Sequence, residues 1–324
     1  MSRTRRHIRS GKPYELILRV KDCIPFVPNK TINAIILSAL SRTLRDGKIV
    51  LSHFIWMGNH VHIILVAYDA QDCVNFYQEL QKKITDAFKR LLGKKKLSLW
   101  EGEPVLAEIL DFEKMIEKIT YLYANPASAS LTESVTEYPG ISSWESFRFG
   151  IDSSMQNIPW IRLPAIPKLS SLTLSSNEDS KVLEQMTQFS TLFHSIEISP
   201  DAWMKCFDIH SEDEINEINK RIFEQIIERE TVLKQERLLE KRTVIGVQKL
   251  IKAPLMKSHE PRQRERRVYV HSSDKELRIS FIQMIKEFCR KCAECYQLFK
   301  RGELVTWPPG AFRPHAPPLA SVLG

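Results

Sequence analysis

The sequence predicts an α+β fold, an antiparallel sheet with helices on one face, followed by a mostly α-helical extension. Three observations predict it. The run from His53 to Val66 reads as two short apolar strands joined by a Gly58-Asn59 turn. Segments of strand and helix periodicity alternate along the chain from Tyr14 to Tyr123. Beyond a Pro/Ser-rich stretch, the apolar spacing becomes helical.

Tyr14 to Val20 has strand composition, with Leu16 and Leu18 on one face. From Asn29, which suits an N-cap, the positions Ile32, Ile35, Ile36, Leu40 and Leu44 define a helix over Thr31 to Arg45. Asp46-Gly47 closes it, and Ile49-Val50-Leu51 leads into the paired strands. Val74 to Leu92 is a second amphipathic helix (Phe76, Leu80, Ile84, Phe88, Leu91), ended by Gly93 and Lys94-Lys95-Lys96. Pro104 to Leu110 reads as a fourth strand. Asp111 caps a third helix to about Tyr123, which Pro126 stops by disfavouring helix in the residue before it. The order strand, helix, strand, strand, helix, strand, helix is the split βαβ pattern of ferredoxin-like folds. Ser142-Ser143-Trp144 to Phe147 packs back on this unit.

These readings divide the chain into a domain at 1–150, a linker at 151–183 and a helical extension at 184–324 with a proline-rich tail. Ser211 with Glu214, and Ser273 with Glu276, are spaced as capping boxes at the starts of two long helices.

No run of 18 apolar residues is present, which argues against a membrane span, and no apolar segment follows the basic residues at the N-terminus, as a secretory signal would require. The cysteines do not suggest a disulfide framework, so a reduced, cytoplasmic setting is expected. Residues 1–96 carry 18 Lys and Arg against 7 Asp and Glu, while residues 97–150 carry 3 against 9. A basic excess in that first segment suits a phosphate-backbone partner, namely nucleic acid. Arg5, Arg6 and Arg9, the Lys94, Lys95 and Lys96 run, and Arg264, Arg266 and Arg267 are the candidate phosphate contacts. Trp56 or Trp100 could stack on an unpaired base.

His60 and His62 stand two apart on a strand and therefore share a face, while Val61 and Ile63 pack on the other. Two imidazoles on a rigid strand make half of a metal site. Tyr121 and Asn125, four apart on the third helix, lie on one helical face. An Asn carbonyl oxygen can complete a site with two imidazole nitrogens, leaving positions for a phosphate oxygen and water. A phenol with a pKa of about 10 is a poor nucleophile at neutral pH, so the metal or a base must ease the loss of its proton. Cys289, Cys292 and Cys295 recur every third residue, but a buried helix face explains them better than zinc.

Met57-Gly58-Asn59-His60-Val61-His62-Ile63-Ile64 resembles the His-hydrophobic-His signature of single-tyrosine HUH transposases, in which proline commonly stands at the position of Gly58. Tyr121-Leu122-Tyr123-Ala124-Asn125-Pro126 resembles the Tyr-x-x-x-Asn-Pro segment of their REP-associated branch. Tyr138-Pro139 and Ser142-Ser143 resemble the run that follows it. The segments lie in order across residues 1–150, and Ser128-Ala129-Ser130-Leu131 departs from the Ala-Gly-Leu often found after Asn-Pro. More faintly, Val244-Ile245-Gly246 and the stretch from His271 to Pro314 look like the extension of longer members.

The resemblance implies cleavage and rejoining of single-stranded or hairpin-forming DNA through a 5′-phosphotyrosine, releasing a 3′-hydroxyl, with a divalent metal. On that pattern Tyr121 is the nucleophile, and His60, His62 and Asn125 are ligands of Mg²⁺ or Mn²⁺. Tyr123 is a rival nucleophile, though two residues on it points roughly 200° around the helix. A homodimer is compatible with this reading. Two rivals stand beside it: a domesticated DNA-hairpin-binding protein without cleavage activity, and a hydrolase in which Tyr121 only holds substrate.

Overall fold

Every residue from Pro13 to Leu18 in the first core strand of this chain is buried, so both of its faces are covered. The structure is a computed structural model that describes residues 7–45, 48–149, 156–260, 268–311 and 314. From the N-terminus come β1 (Lys12–Arg19), the short β2 (Cys23–Ile24), α1 (Lys30–Arg45), β3 (Ile49–Trp56) and β4 (His60–Ala67). They are followed by α2 (Ala70–Leu91), β5 (Val105–Ile109), α3 (Phe112–Ser128) and the short α4 (Trp144–Arg148). The expected start of α2 moves back to Ala70 because the Asp69 side chain caps it, accepting from the backbone N–H groups of Gln71 and Asp72.

The remainder comprises β6 (Gln156–Pro159), α5 (Ser176–Thr187), β7 (Phe193–Ile196), α6 (Glu212–Leu239), α7 (Val247–Ile251), β8 (Lys257–Ser258), β9 (Val270–His271) and α8 (Lys275–Lys300). The main sheet is mixed and runs β3-β4-β1-β5-β9. β1 pairs antiparallel with β4 and β5, β3 pairs antiparallel with β4, and β9 adds parallel to β5. None of the described helices is long and apolar enough to cross a membrane.

Side-chain alternation splits the sheet into two faces. Tyr14, Leu16, Leu18, Val61, Ile63 and Leu65 meet Ile32, Ile36 and Leu40 of α1 and Leu80, Ile84 and Phe88 of α2. Ile55, Ile64, Val66 and Ile109 meet Met115, Ile116, Ile119 and Leu122 of α3, and Ile218, Ile222 and Ile226 of α6 belong to the same core. Helices on one face was the expectation. Both faces are covered, because the second face carries an apolar row that α3 buries with its own apolar stripe.

Three local expectations also change. α3 does not stop before Pro126 but runs through it to Ser128. The ring removes one hydrogen bond near the helix end, while Ala124 and Ala127 stay buried and the Ala127 carbonyl accepts from Arg237 Nη1 at 2.6 Å. The start of α8 is capped by Asp274 instead of Ser273, and Ser211 precedes α6 without a side-chain cap bond. A complete capping box occurs instead at Ser175 and Glu178, inside the Pro/Ser-rich stretch, where α5 begins. That stretch packs on the sheet's helical layer: Ile158, Ile161 and Ile166 join the core of α1 and α2.

Candidate functional site

His60 and His62 open β4 on the face that α3 covers, opposite Arg19 and Ile17 of β1. Their rings meet edge to face with centroids 5.0 Å apart. Each imidazole has its Nδ1 engaged: His60 Nδ1 lies 2.8 Å from Asn59 Oδ1, and His62 Nδ1 lies 3.0 Å from Glu15 Oε1. An Nδ1–H that donates to an oxygen leaves Nε2 with its lone pair, which is the tautomer a metal ligand needs. Burial, with His62 and the Arg19 charge nearby, holds His60 well below the usual imidazole range and so keeps it neutral.

α3 brings the other candidates over this face. Lys118, Tyr121 and Asn125 are three and four apart and form one stripe of the helix. The Tyr121 ring stands edge-on to His62 at 5.8 Å between centroids, and the residue is 43% exposed. Lys118 Nζ is 5.5 Å from the centre of that ring. Asn125 is buried, and its Nδ2 has no hydrogen-bond partner. The unmet atom is an amide donor, which calls for an acceptor, whereas a cation would be taken by Oδ1 of the same side chain.

Tyr123 has a different environment. It is fully buried, and its hydroxyl lies 2.9 Å from His53 Nδ1 and 2.8 Å from Ser143 Oγ. Burial raises its phenol well above the ordinary value, and the Ser143 hydrogen bond only partly offsets this. His53 is equally enclosed, and burial lowers it to about 3. Both are structural groups that tie β3, α3 and the Ser143 turn together.

Glu15 joins the site from β1. It is the one carboxylate among the apolar residues of Tyr14 to Val20, and it is buried on the α3 face. Besides His62, its Oε2 lies 3.0 Å from Lys118 Nζ and 2.7 Å from His271 Nε2. The His271 contact is close but poorly aligned for a hydrogen bond. Burial would raise the Glu15 carboxyl, but His271, His62 and the Lys118 charge together hold it well below the usual carboxylate range. The sequence offered one signal for Glu15, a charge in an apolar strand, and none for its pairing with Lys118 and His271.

Of the candidate phosphate contacts, Arg5, Arg6, Arg264, Arg266 and Arg267 lie outside the described residues. Arg9 is committed elsewhere, its guanidinium gripping Glu108 while Tyr14 donates to the same carboxylate at 3.1 Å. Lys94, Lys95 and Lys96 are exposed just after α2, with the Lys94 charge acting on Cys23 of β2, beside the Gly58 turn. Trp56 is buried, and Trp100 packs on Phe26 and donates to the Gln81 carbonyl, so both are core residues. Cys292 is buried in the core-facing side of α8.

Among the described residues, no group of three or more His, Cys, Asp and Glu side chains could hold a metal ion. Asn125, one turn along α3 from Tyr121, offers an amide oxygen that could add to the two imidazole nitrogens. Two imidazoles whose Nδ1 atoms face protein oxygens, together with one amide oxygen, form a donor set that fits a divalent cation.

No protein-family model matches the sequence. A comparison with curated proteins likewise gave no match. Among solved structures, a REP-associated tyrosine transposase bound to a REP hairpin is similar to 46% of this chain and 86% of its own, at 19% identity and a TM-score of 0.40.

Proposed function

We propose that this chain is a single-tyrosine HUH transposase that cleaves and rejoins single-stranded DNA at hairpin or repeat elements. In this reading residues 1–150 form the catalytic domain, Tyr121 is the nucleophile, and His60, His62 and Asn125 hold Mg²⁺ or Mn²⁺. The observation that carries it is the meeting of the exposed Tyr121 ring with His62 on the sheet face where both paired imidazoles leave Nε2 available. The strand order β3-β4-β1-β5, antiparallel at each pairing, supports the ferredoxin-like part of the reading.

A bound divalent cation would neutralise charge on a phosphate oxygen and lower the cost of deprotonating the phenol. The residues supply the rest. Tyr121 Oη attacks phosphorus as its proton leaves, and the bond from phosphorus to the 3′-oxygen breaks. That oxygen takes up a proton and departs as a 3′-hydroxyl, leaving the 5′-phosphate on Tyr121. Rejoining is the reverse attack by a 3′-hydroxyl, which restores the phenol. The bond energy is kept in the phosphotyrosine, so no nucleotide cofactor is needed. Lys118, over the Tyr121 ring and paired with Glu15, holds a positive charge on the same side of α3. The exposed lysines at 94–96 suit the backbone of the bound strand.

An end-labelled hairpin oligonucleotide with a single-stranded flank, incubated with the protein and Mn²⁺, tests the reading. The expected products are a covalent protein–DNA adduct and a free 3′-hydroxyl end. Free 5′-phosphate ends without an adduct would make the chain a hydrolase, and binding with no cleavage would make it a hairpin-binding protein.

A further inference from the structure

β9 brings the C-terminal part of the chain to the edge of the sheet. It pairs parallel with β5, Val270 beside Glu108 and His271 beside Ile109. The Leu110 N–H donates to the His271 carbonyl at 3.0 Å, so the backbone holds His271 firmly in register. Two residues on, the Ser273 N–H donates to Asp111 Oδ2 at 2.8 Å. Asp111 is also the N-cap of α3, its other carboxylate oxygen accepting from the Lys114 N–H at 2.8 Å. One segment thus touches both the start of the helix that carries Tyr121 and, through His271, the carboxylate behind His62.

The His271 ring is buried with its Nε2 2.7 Å from Glu15 Oε2. Glu15 reaches His62 with its other oxygen, Oε1, at 3.0 Å. The path from His271 to Nδ1 of His62 therefore runs through a single buried carboxylate. A carboxylate that accepts from the far nitrogen of a ligand imidazole fixes the tautomer and raises the basicity of the near one. Such a carboxylate does this only while its own position is maintained, and Glu15 is held in place by Lys118 on α3 and His271 on β9.

We propose that His271 is a positioning residue for the metal site, acting through Glu15 on His62, so that the segment from Val268 to Ser273 is part of that site. The inference rests on the ligand assignment of His60 and His62. It adds that a residue outside the first 150 sets how well those ligands hold a cation.

Titration calorimetry with Mn²⁺ alone, on the full chain without DNA, tests this. His271→Ala is expected to weaken Mn²⁺ binding by about 10- to 100-fold, the range for loss of a partner behind a ligand imidazole. His271→Gln, which returns an N–H to Glu15, should recover most of that loss. The metal-free unfolding temperatures of the two variants should match, a result that loss of packing alone would not give together with rescue. Unchanged affinity in His271→Ala, or equal weakening in both variants, overturns the proposal. Should His271→Ala fail to fold, Glu15→Gln reads the same connection from the carboxylate and is expected to weaken Mn²⁺ binding at least tenfold; no weakening there also overturns it. His60→Ala separates the two levels. If His60→Ala abolishes binding while His271→Ala leaves it intact, only the role of His271 fails; if His60→Ala binds as well as the unsubstituted chain, the ligand assignment itself fails.

Discussion

Glu15 sits where an aliphatic side chain would make a more ordinary strand, since an unpaired buried carboxylate is costly. Its three basic neighbours offset that cost and, in doing so, tie β1, β4, α3 and β9 to one point. A second buried carboxylate, Glu230 on α6, is less well compensated. Burial pushes its pKa up to about 7, the Val135 N–H pulling it down, Glu137 raising it and Arg237 lowering it. A carboxyl raised in the folded state binds its proton more tightly there than in the unfolded chain, so its contribution to stability is full below about pH 4.5 and is lost as pH rises to 7. Urea unfolding of Glu230→Gln against the parent chain should show the difference growing across that window, by on the order of 2–3 kcal/mol in favour of Gln at pH 7 and above. Parallel pH profiles for the two proteins would refute the assignment. The shared strand face of His60 and His62 and the shared helix face of Tyr121 and Asn125 could be read in the sequence, because each pair is local, two apart on a strand or four apart on a helix. The surroundings of Glu230 and Glu15 could not be read, because they are made by elements far along the chain.

α1 shows how an element can be right while its support goes unseen. Its apolar stripe fixed the helix over Thr31 to Arg45, but its first N–H groups need acceptors. Asn29 Oδ1 takes one, from Ile32, and Asp179 takes two: Oδ2 from Lys30 and Oδ1 from Thr31, each at 2.9 Å. Asp179 belongs to α5, in the stretch that composition marked as connector, where serines and prolines mask a short amphipathic helix. Its carboxylate also faces the positive end of the α1 dipole. Asp179→Ala should therefore destabilise the fold by about 1.5–3 kcal/mol, the cost of losing two charge-assisted bonds, one of them from a buried donor. A change under about 0.5 kcal/mol in a chemical-denaturation midpoint analysis would mean that α5 rests on α1 without holding it. Pro126 misled in the opposite direction, because the rule against helix before proline concerns local sterics and α3 is held there by burial and by Arg237.

In the molecule as a whole, the sheet separates the face packed on α1 and α2 from the face that carries His60 and His62. α1 and α2 fill the first, and their periodicity could be read in advance. The second is covered by α3 and then by α6, with Arg221 pairing to Glu113 at 2.9 and 2.6 Å and Thr120 donating to Gln225 at 3.3 Å. This layering could not be read from charge-rich α6, whose partners lie about a hundred residues earlier. It leaves Tyr121 at the edge of the covered face beside His62 and seals Tyr123 beneath it. The difference between those two tyrosines is the account's sharpest commitment, and the covalent adduct on a hairpin oligonucleotide reads it. With Mn²⁺ present and below the unfolding transition, the unsubstituted chain and Tyr123→Phe should both form the adduct. Tyr121→Phe should form none while binding the oligonucleotide within about twofold of the parent, as removal of a reacting group that contributes little to ground-state binding predicts. An adduct that survives in Tyr121→Phe, or is lost only in Tyr123→Phe, would contradict it.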